Sequence, residues 1–203
     1  MNIRLEQEKD YYEVENLTRE AFWNVYRPGC FEHLVIHKLR QDKCFVKELD
    51  YVIELDGKII ANIMYAKGTL ALEKGGQKEI LLFGPVSVLP EYQRKGYGEK
   101  IIKFTMQKAT ELGYGAIVIT GNPDYYKKYG FESSSKHGIY YNGTDKKEET
   151  PFFMIKILDP KLMEGLKGIY TDPECYNVNE KEVEEFDKNF PKKIKEKRAG
   201  QLE

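Results

Sequence analysis

Between residues 51 and 89 the chain reads as three β-rich runs separated by nothing longer than a turn. Residues 51–55 and 58–65 flank Asp56-Gly57, a pair that tolerates positive φ and so favours the tight turn of a hairpin. Gly75-Gly76 marks a second turn. Residues 80–89 follow as a nearly continuous apolar run, the pattern of a strand buried on both faces and closed by Pro90. Strands of this kind need helices to cover them.

The flanking sequence supplies such helices. Val14, Leu17, Ala21 and Phe22 recur at helical spacing within residues 11–23, and Arg27-Pro28-Gly29 stops that segment. Residues 32–39 repeat the pattern with Leu34, Val35 and Leu39 inward. Residues 96–112 carry an expected stripe of Ile102, Met106, Ala109 and Leu112, ended by Gly113. Residues 116–120 and 152–158 read as further strands, residues 3–5 as a short first one, and Asn122-Pro123-Asp124 opens a short helix that Gly130 closes. The order β, α, α, β, β, β, α, β, α, β predicts a mixed α/β sheet with helices on its faces. From Asp159 onward the composition changes, with Pro160, Pro173, Pro191 and a charge run over residues 180–198. The expected division is a domain over residues 1–158 and a charged, partly helical extension over 159–203 packed on it.

Thirty-two basic and 33 acidic side chains leave a formal charge of -1, so no global field favours nucleic acid or an anionic membrane. No apolar run approaches the ~18 residues of a membrane span, and the acidic, amphipathic N-terminus does not read as a signal peptide. Cys30, Cys44 and Cys175 are scattered, without metal-ligand spacing, and are expected as reduced thiols in the cytoplasm with no metal. His33 and His37 lie one helical turn apart without the HExxH glutamate and are expected as a partly exposed pair.

Residues 81–131 carry the chemistry. Gln93-Arg94-Lys95-Gly96-Tyr97-Gly98 stands between the buried strand and the long helix. Glycines let backbone approach a ligand, and the amides and dipole of a helix start suit a phosphate or pyrophosphate, with Arg94 and Lys95 adding charge. A Rossmann fingerprint needs glycine where Ile101 stands, and a Walker loop needs an absent Gly-Lys-Ser/Thr. A plain helix-capping turn stays open on the loop alone.

In its neighbours the loop resembles the GCN5-related N-acetyltransferase (GNAT) family. Gln-x-x-Gly-x-Gly is similar to that family's pyrophosphate motif. Residues 86–92, Val-Ser-Val-Leu-Pro-Glu-Tyr, resemble its fourth strand and entry turn, and residues 125–131, Tyr-Tyr-Lys-Lys-Tyr-Gly-Phe, its Tyr-x-x-x-Gly-Phe ending. The resemblance covers about the first three quarters of the chain. It implies a mostly antiparallel sheet splayed between strands four and five, with Gly84-Pro85 as a plausible opening because proline cannot donate to a ladder. It further implies acetyl-CoA as cosubstrate: Val86, Ser87 and Val88 along the pantetheine arm, Gln93, Arg94, Lys95, Gly96, Tyr97 and Gly98 around the pyrophosphate, and Asn122 as a further contact or simply a helix cap.

Tyr126 occupies the family's proton-donor position, weighed against its neighbours Tyr125 and Tyr129. An ordinary phenol, with a pKa of about 10, stays protonated at neutral pH and can donate to a departing thiolate. The fourth strand offers no carboxylate near the opening, and Glu79 lies too early. Glu32, His33 and His137 remain as base candidates. Trp23, Tyr26 and Phe31 are expected either to line the acceptor site or to be core. The implied activity is transfer of an acetyl group to a primary amine of a small molecule or peptide, by a monomer or homodimer. The alternatives are a non-catalytic CoA-binding sensor or accessory module, or a protein lysine or N-terminal acetyltransferase.

Overall fold

The computed structural model describes residues 1–201. In chain order its elements are β1 (Asn2–Leu5), α1 (Tyr11–Phe22), α2 (Glu32–Leu39), β2 (Tyr51–Leu55), β3 (Lys58–Leu72), β4 (Gln77–Val88), α3 (Tyr97–Glu111), β5 (Ala116–Thr120), α4 (Pro123–Tyr126), β6 (Glu132–Ser133), β7 (Ile139–Tyr141), β8 (Phe153–Ile157), α5 (Pro160–Met163), β9 (Gly168–Thr171) and α6 (Glu180–Asp187). The expected mixed α/β class and mostly antiparallel pairing are present; β4 with β5 and β7 with β9 are the parallel pairs among the described residues. Contacts divide the chain into two units, and β3, β4 and α3 run through both.

The first unit comprises residues 1–64, 85–102 and 174–201. Here β1 pairs with β2, and β2 with the first half of β3, antiparallel. Asp56 and Gly57 take φ of 51° and 80°, as the hairpin turn requires. The Leu89 amide donates to the Ile60 carbonyl at 3.0 Å, tying the end of β4 to β3. Helices α1 and α2 pack together, burying Val14, Leu17, Leu34, Val35, Ile36 and Leu39.

The Arg40 side chain, just beyond α2, is 4% exposed and anchors this unit. Its guanidinium bonds Glu6 at 2.7 Å and Glu15 at 2.6 Å, and it lies 4.2 Å from the Tyr11 ring centroid. Nearby Asp50 is held far above the usual carboxylate range by burial and the adjacent Glu6, while donation from Asn62 opposes that rise.

The second unit comprises residues 65–84 and 103–173. Strand β8 takes β5 on one edge and β6 on the other, and β9 pairs with the far half of β3 and with β7. Strand β4 meets β5 at two positions, Leu81 with Ile117 and Leu82 with Val118. Beyond them, Ile119 and Thr120 have ladder partners in β8 only, among the described residues. Tyr65 is buried, its hydroxyl 3.0 Å from that of Thr105.

One expectation about α3 fails. Leu112 is half-exposed, whereas Ile101, Ile102, Thr105 and Ala109 are fully buried. The helix ends at Glu111, so Leu112 no longer follows its periodicity. Met106 is only partly covered.

Arg40→Ala is expected to destabilise the protein by about 3–5 kcal/mol, because it leaves Glu6 and Glu15 as buried carboxylates without their cation. Chemical denaturation at neutral pH measures this directly.

Candidate active site

In the first unit, β4 ends at Val88, a short turn over Pro90–Tyr92 follows, and α3 begins at Tyr97. Gln93 lies in the connecting loop, where its side-chain amide donates to the Val88 carbonyl at 3.0 Å and fastens loop to strand end. Arg94 takes φ of 60° and Gly96 of 86°, so the backbone turns through the left-handed region twice in three residues. A Cβ on Gly96 would meet nothing within 4 Å; glycine is required there for its conformation, not for space. The Lys100 amide closes the first helical turn on the Gly96 carbonyl at 3.0 Å. The amides of Tyr97 and Gly98 therefore begin the helix, with no earlier helical carbonyl to bond.

Charge gathers on the same surface. Arg94, Lys95 and Lys100 are exposed. The Lys95 and Lys58 ammonium groups lie 5.4 and 5.6 Å from the Tyr92 ring centroid, and Lys58 pairs with Glu91 at 2.8 Å. Helix-start amides surrounded by cations can hold an anion such as a diphosphate. Val86 and Val88 are partly exposed, but Ser87 is fully buried with its hydroxyl 2.9 Å from that of Thr18 on α1. The Ser87 side chain is thus committed to the interior.

The second unit holds Asn122 and Tyr126. Asn122 caps α4, its side-chain oxygen accepting from the Asp124 amide at 2.9 Å. The half-buried Tyr126 ring sits among aromatic neighbours, with centroids at 4.8 Å for Tyr125, 5.9 Å for Phe131, 6.1 Å for Phe83 and 6.2 Å for Tyr129. A Cβ on Gly121 would come within 2.8 Å of that ring, so glycine there leaves room for it. Tyr129 is buried and bonds the Tyr125 hydroxyl at 3.3 Å. The three tyrosines therefore differ in setting: Tyr125 exposed, Tyr126 half-covered, Tyr129 internal.

The family model described as an acetyltransferase (GNAT) domain matches residues 44–133, including β4, the loop and α4. Over that stretch the chain is similar to GNAT acetyltransferases. The N-acetyltransferase YhbS of Escherichia coli is 24% identical over 179 residues, spanning 87% of this chain and 99% of that protein. The crystal structure of YhbS in complex with CoA superposes with a TM-score of 0.74 at 22% identity, covering 87% of this chain and 92% of that one. A GNAT-family acetyltransferase from Brucella melitensis in complex with acetyl-CoA gives a TM-score of 0.69 at 24% identity, covering 87% and 97%. At these identities the structural likeness establishes the GNAT fold.

The base candidates in this chain occupy dissimilar environments. His137 pairs with Glu132 at 3.0 Å. Glu32 begins α2, accepts from the Phe31 amide at 2.8 Å, and has its carboxyl pushed upward by burial. His33 is fully buried, correcting the expectation of a partly exposed pair; only His37 reaches solvent. The cause is α6, whose Phe186 lies 5.3 Å and 4.5 Å from the His33 and His37 rings.

The surroundings of His33 leave no local signal in the sequence. Its Nδ1 lies 3.3 Å from the Cys30 thiol and its Nε2 3.3 Å from Asp187, which also binds the buried Arg19 at 2.6 Å. The line of Cys, His and Asp resembles a nucleophile relay, but the thiol is 2% exposed and burial drives its pKa far up, so it stays protonated and inert. Asp187 lies in the terminal charge run, and no local signal links it to Cys30.

Trp23 is likewise claimed by the C-terminal segment. Its ring nitrogen donates to the Ile194 carbonyl at 2.9 Å, and Arg19 lies 4.2 Å from its centroid. Tyr26 is exposed, while the Arg27 guanidinium lies 4.0 Å from the Phe31 centroid.

Burial, aided by Arg19 and opposed by Asp187, lowers the His33 pKa to about 4. A depressed folded value contributes stability that is complete above the unfolded value near 6.5 and is lost as pH falls through 4. Acidification from pH 7 to 4 is expected to cost roughly 3 kcal/mol more in the native protein than in His33→Leu. Urea midpoints measured across that range test the difference.

Proposed function

We propose that this GNAT domain transfers the acetyl group of acetyl-CoA to a primary amine of a small molecule or peptide, by direct attack of the amine on the thioester. The observation that carries this reading is the loop over residues 93–98: two left-handed residues, a glutamine tied back to β4, helix-start amides and adjacent cations. A plain capping turn needs none of that positive charge.

In this reading the cosubstrate's diphosphate rests on the amides of Tyr97 and Gly98, with Arg94 and Lys95 beside it. Backbone groups of Val86 and Val88 hold the pantetheine arm as an added strand would. Ser87 contributes through its main chain, since its hydroxyl is engaged with Thr18. A neutral amine nitrogen attacks the thioester carbonyl carbon; the oxygen gains charge, and a strand amide stabilises it. The carbon–sulfur bond then breaks, and Tyr126 donates its phenolic proton to the departing thiolate. Packing among Phe83, Tyr125, Tyr129 and Phe131 fixes that ring's orientation in advance.

Glu32 is the base candidate that the local environments favour. His33 is sealed inside and His137 is ion-paired, whereas the Glu32 carboxyl is raised by burial toward the range in which a general base works.

CoA at about 100 times its dissociation constant is expected to stabilise the protein by about 2.7 kcal/mol, seen as a rise in melting temperature. Gly96→Val, which strains the loop, is expected to remove most of that rise. Tyr126→Phe is expected to lower kcat on a responsive amine by about 10²-fold while leaving the CoA-induced shift intact. Glu32→Gln should lower kcat similarly and abolish the acidic limb of the pH–rate profile. Full activity of Tyr126→Phe would remove it from the donor role. A protein that binds CoA yet acetylates no member of an amine panel would favour the non-catalytic sensor.

A further inference from the structure

Two of the three cysteines, dispersed in sequence, meet in the first unit. Cys44 follows α2 and Cys175 precedes α6; they are 131 residues apart along the chain, and their sulfurs are 3.7 Å apart. That is ordinary van der Waals contact, and rotation about the Cα–Cβ bonds is the motion available to bring sulfurs into bonding range. Cys44 is partly exposed and Cys175 is 8% exposed, so a small oxidant reaches the pair from one side. Asp42 stands beside them: its carboxylate accepts from the Cys44 amide at 2.9 Å, and a carboxylate oxygen and the two sulfurs lie within 4.8 Å of one another.

We propose that Cys44 and Cys175 form a reversible disulfide that fastens the C-terminal segment to the turn after α2. The oxidant is a peroxide. One sulfur of the pair ionises and, as thiolate, attacks a peroxide oxygen; the O–O bond breaks, leaving a sulfenic acid and, after protonation, water. The second sulfur gives up its proton and attacks the sulfenic sulfur; the S–O bond breaks, the S–S bond forms, and a second water leaves. Two thiols and one hydrogen peroxide become one disulfide and two waters. A thiol reductant reverses the reaction by exchange.

The two sulfurs are unequal in a way that helps the first step. Cys175 is lowered, first through its hydrogen bond with Cys44, while Cys44 is raised through the same bond and burial. That asymmetry makes Cys175 the sulfur of the pair favoured as thiolate. Cys30 offers an internal control, being buried and strongly raised.

The bond would act on the elements around α6. That helix packs Phe186 on His33 and His37, and Asp187 on Arg19. Lys38 on α2 pairs with Glu182 at 2.9 Å on its exposed side. A covalent link just before α6 therefore reinforces a contact that is otherwise ionic and aromatic.

The test uses the full chain, treated with hydrogen peroxide and then alkylated without reductant. Intact mass should fall by two hydrogens, proteolysis should yield a peptide pair joined through Cys44 and Cys175, and Cys30 should alkylate only after denaturation. The melting temperature should rise by several degrees on oxidation and return with dithiothreitol. Cys44→Ser should retain the reduced protein's melting temperature within a degree or two and lose the oxidative rise. Sulfenic or sulfinic acid at either cysteine without the cross-link would overturn the proposal. So would cross-links that include Cys30 as often as Cys175, or purified protein holding one thiol-bound zinc that blocks oxidation until chelated.

Discussion

Among the described residues strand β4 pairs with β5 at two positions, and the proposed seating of the cosubstrate along β4 depends on that brevity. A full ladder would spend the backbone groups of β4 on β5. Pairing through Leu81 and Leu82 fixes the register of the two strands, while β5 pairs with β8 along its whole length on the other edge. Gly84, with φ of 148°, and Pro85, which lacks an amide hydrogen, follow at once. The strand's last residues are held from its other side, where the Leu89 amide bonds Ile60. The loop at residues 93–96 inherits its position from that anchored end through the bond from Gln93 to Val88.

Much of this was legible in the sequence because its signals are local. Asp56-Gly57 specified a hairpin by conformational preference alone, and the loop's glycines and cations lie within six residues. Asn122 was legible as a cap for the same reason. Strands β6, β7 and β9 were not, since runs of two to four residues are too short to display a period. The stripe on α3 was displaced at one end because the helix stops a residue before Leu112.

The contacts made by the C-terminal segment leave no local signal in the sequence. His33 looked like half of a surface pair because α2 alone does not say what covers it. The covering residues, Phe186, Asp187 and Phe190, lie about 150 positions later within a stretch whose composition reads as solvated charge. Val183, Phe186, Asp187 and Phe190 face inward in that stretch, and such spacing is hidden among the glutamates and lysines. The same long separation concealed the meeting of Cys44 with Cys175. Buried ions behave alike: Arg40, Glu6 and Glu15 are unremarkable singly, and their mutual neutralisation exists only after folding.

Trp23 is the chain's single tryptophan, and its indole nitrogen is bonded to Ile194 while Lys193 lies 5.3 Å from its ring centroid. Asn24 beside it holds the same carbonyl at 3.0 Å and accepts from the Glu196 amide at 3.1 Å. The indole therefore senses whether residues 193–196 are docked. Intrinsic emission excited at the tryptophan band becomes a label-free gauge of tail attachment, shifting to longer wavelength as water replaces the Ile194 carbonyl and the cations withdraw.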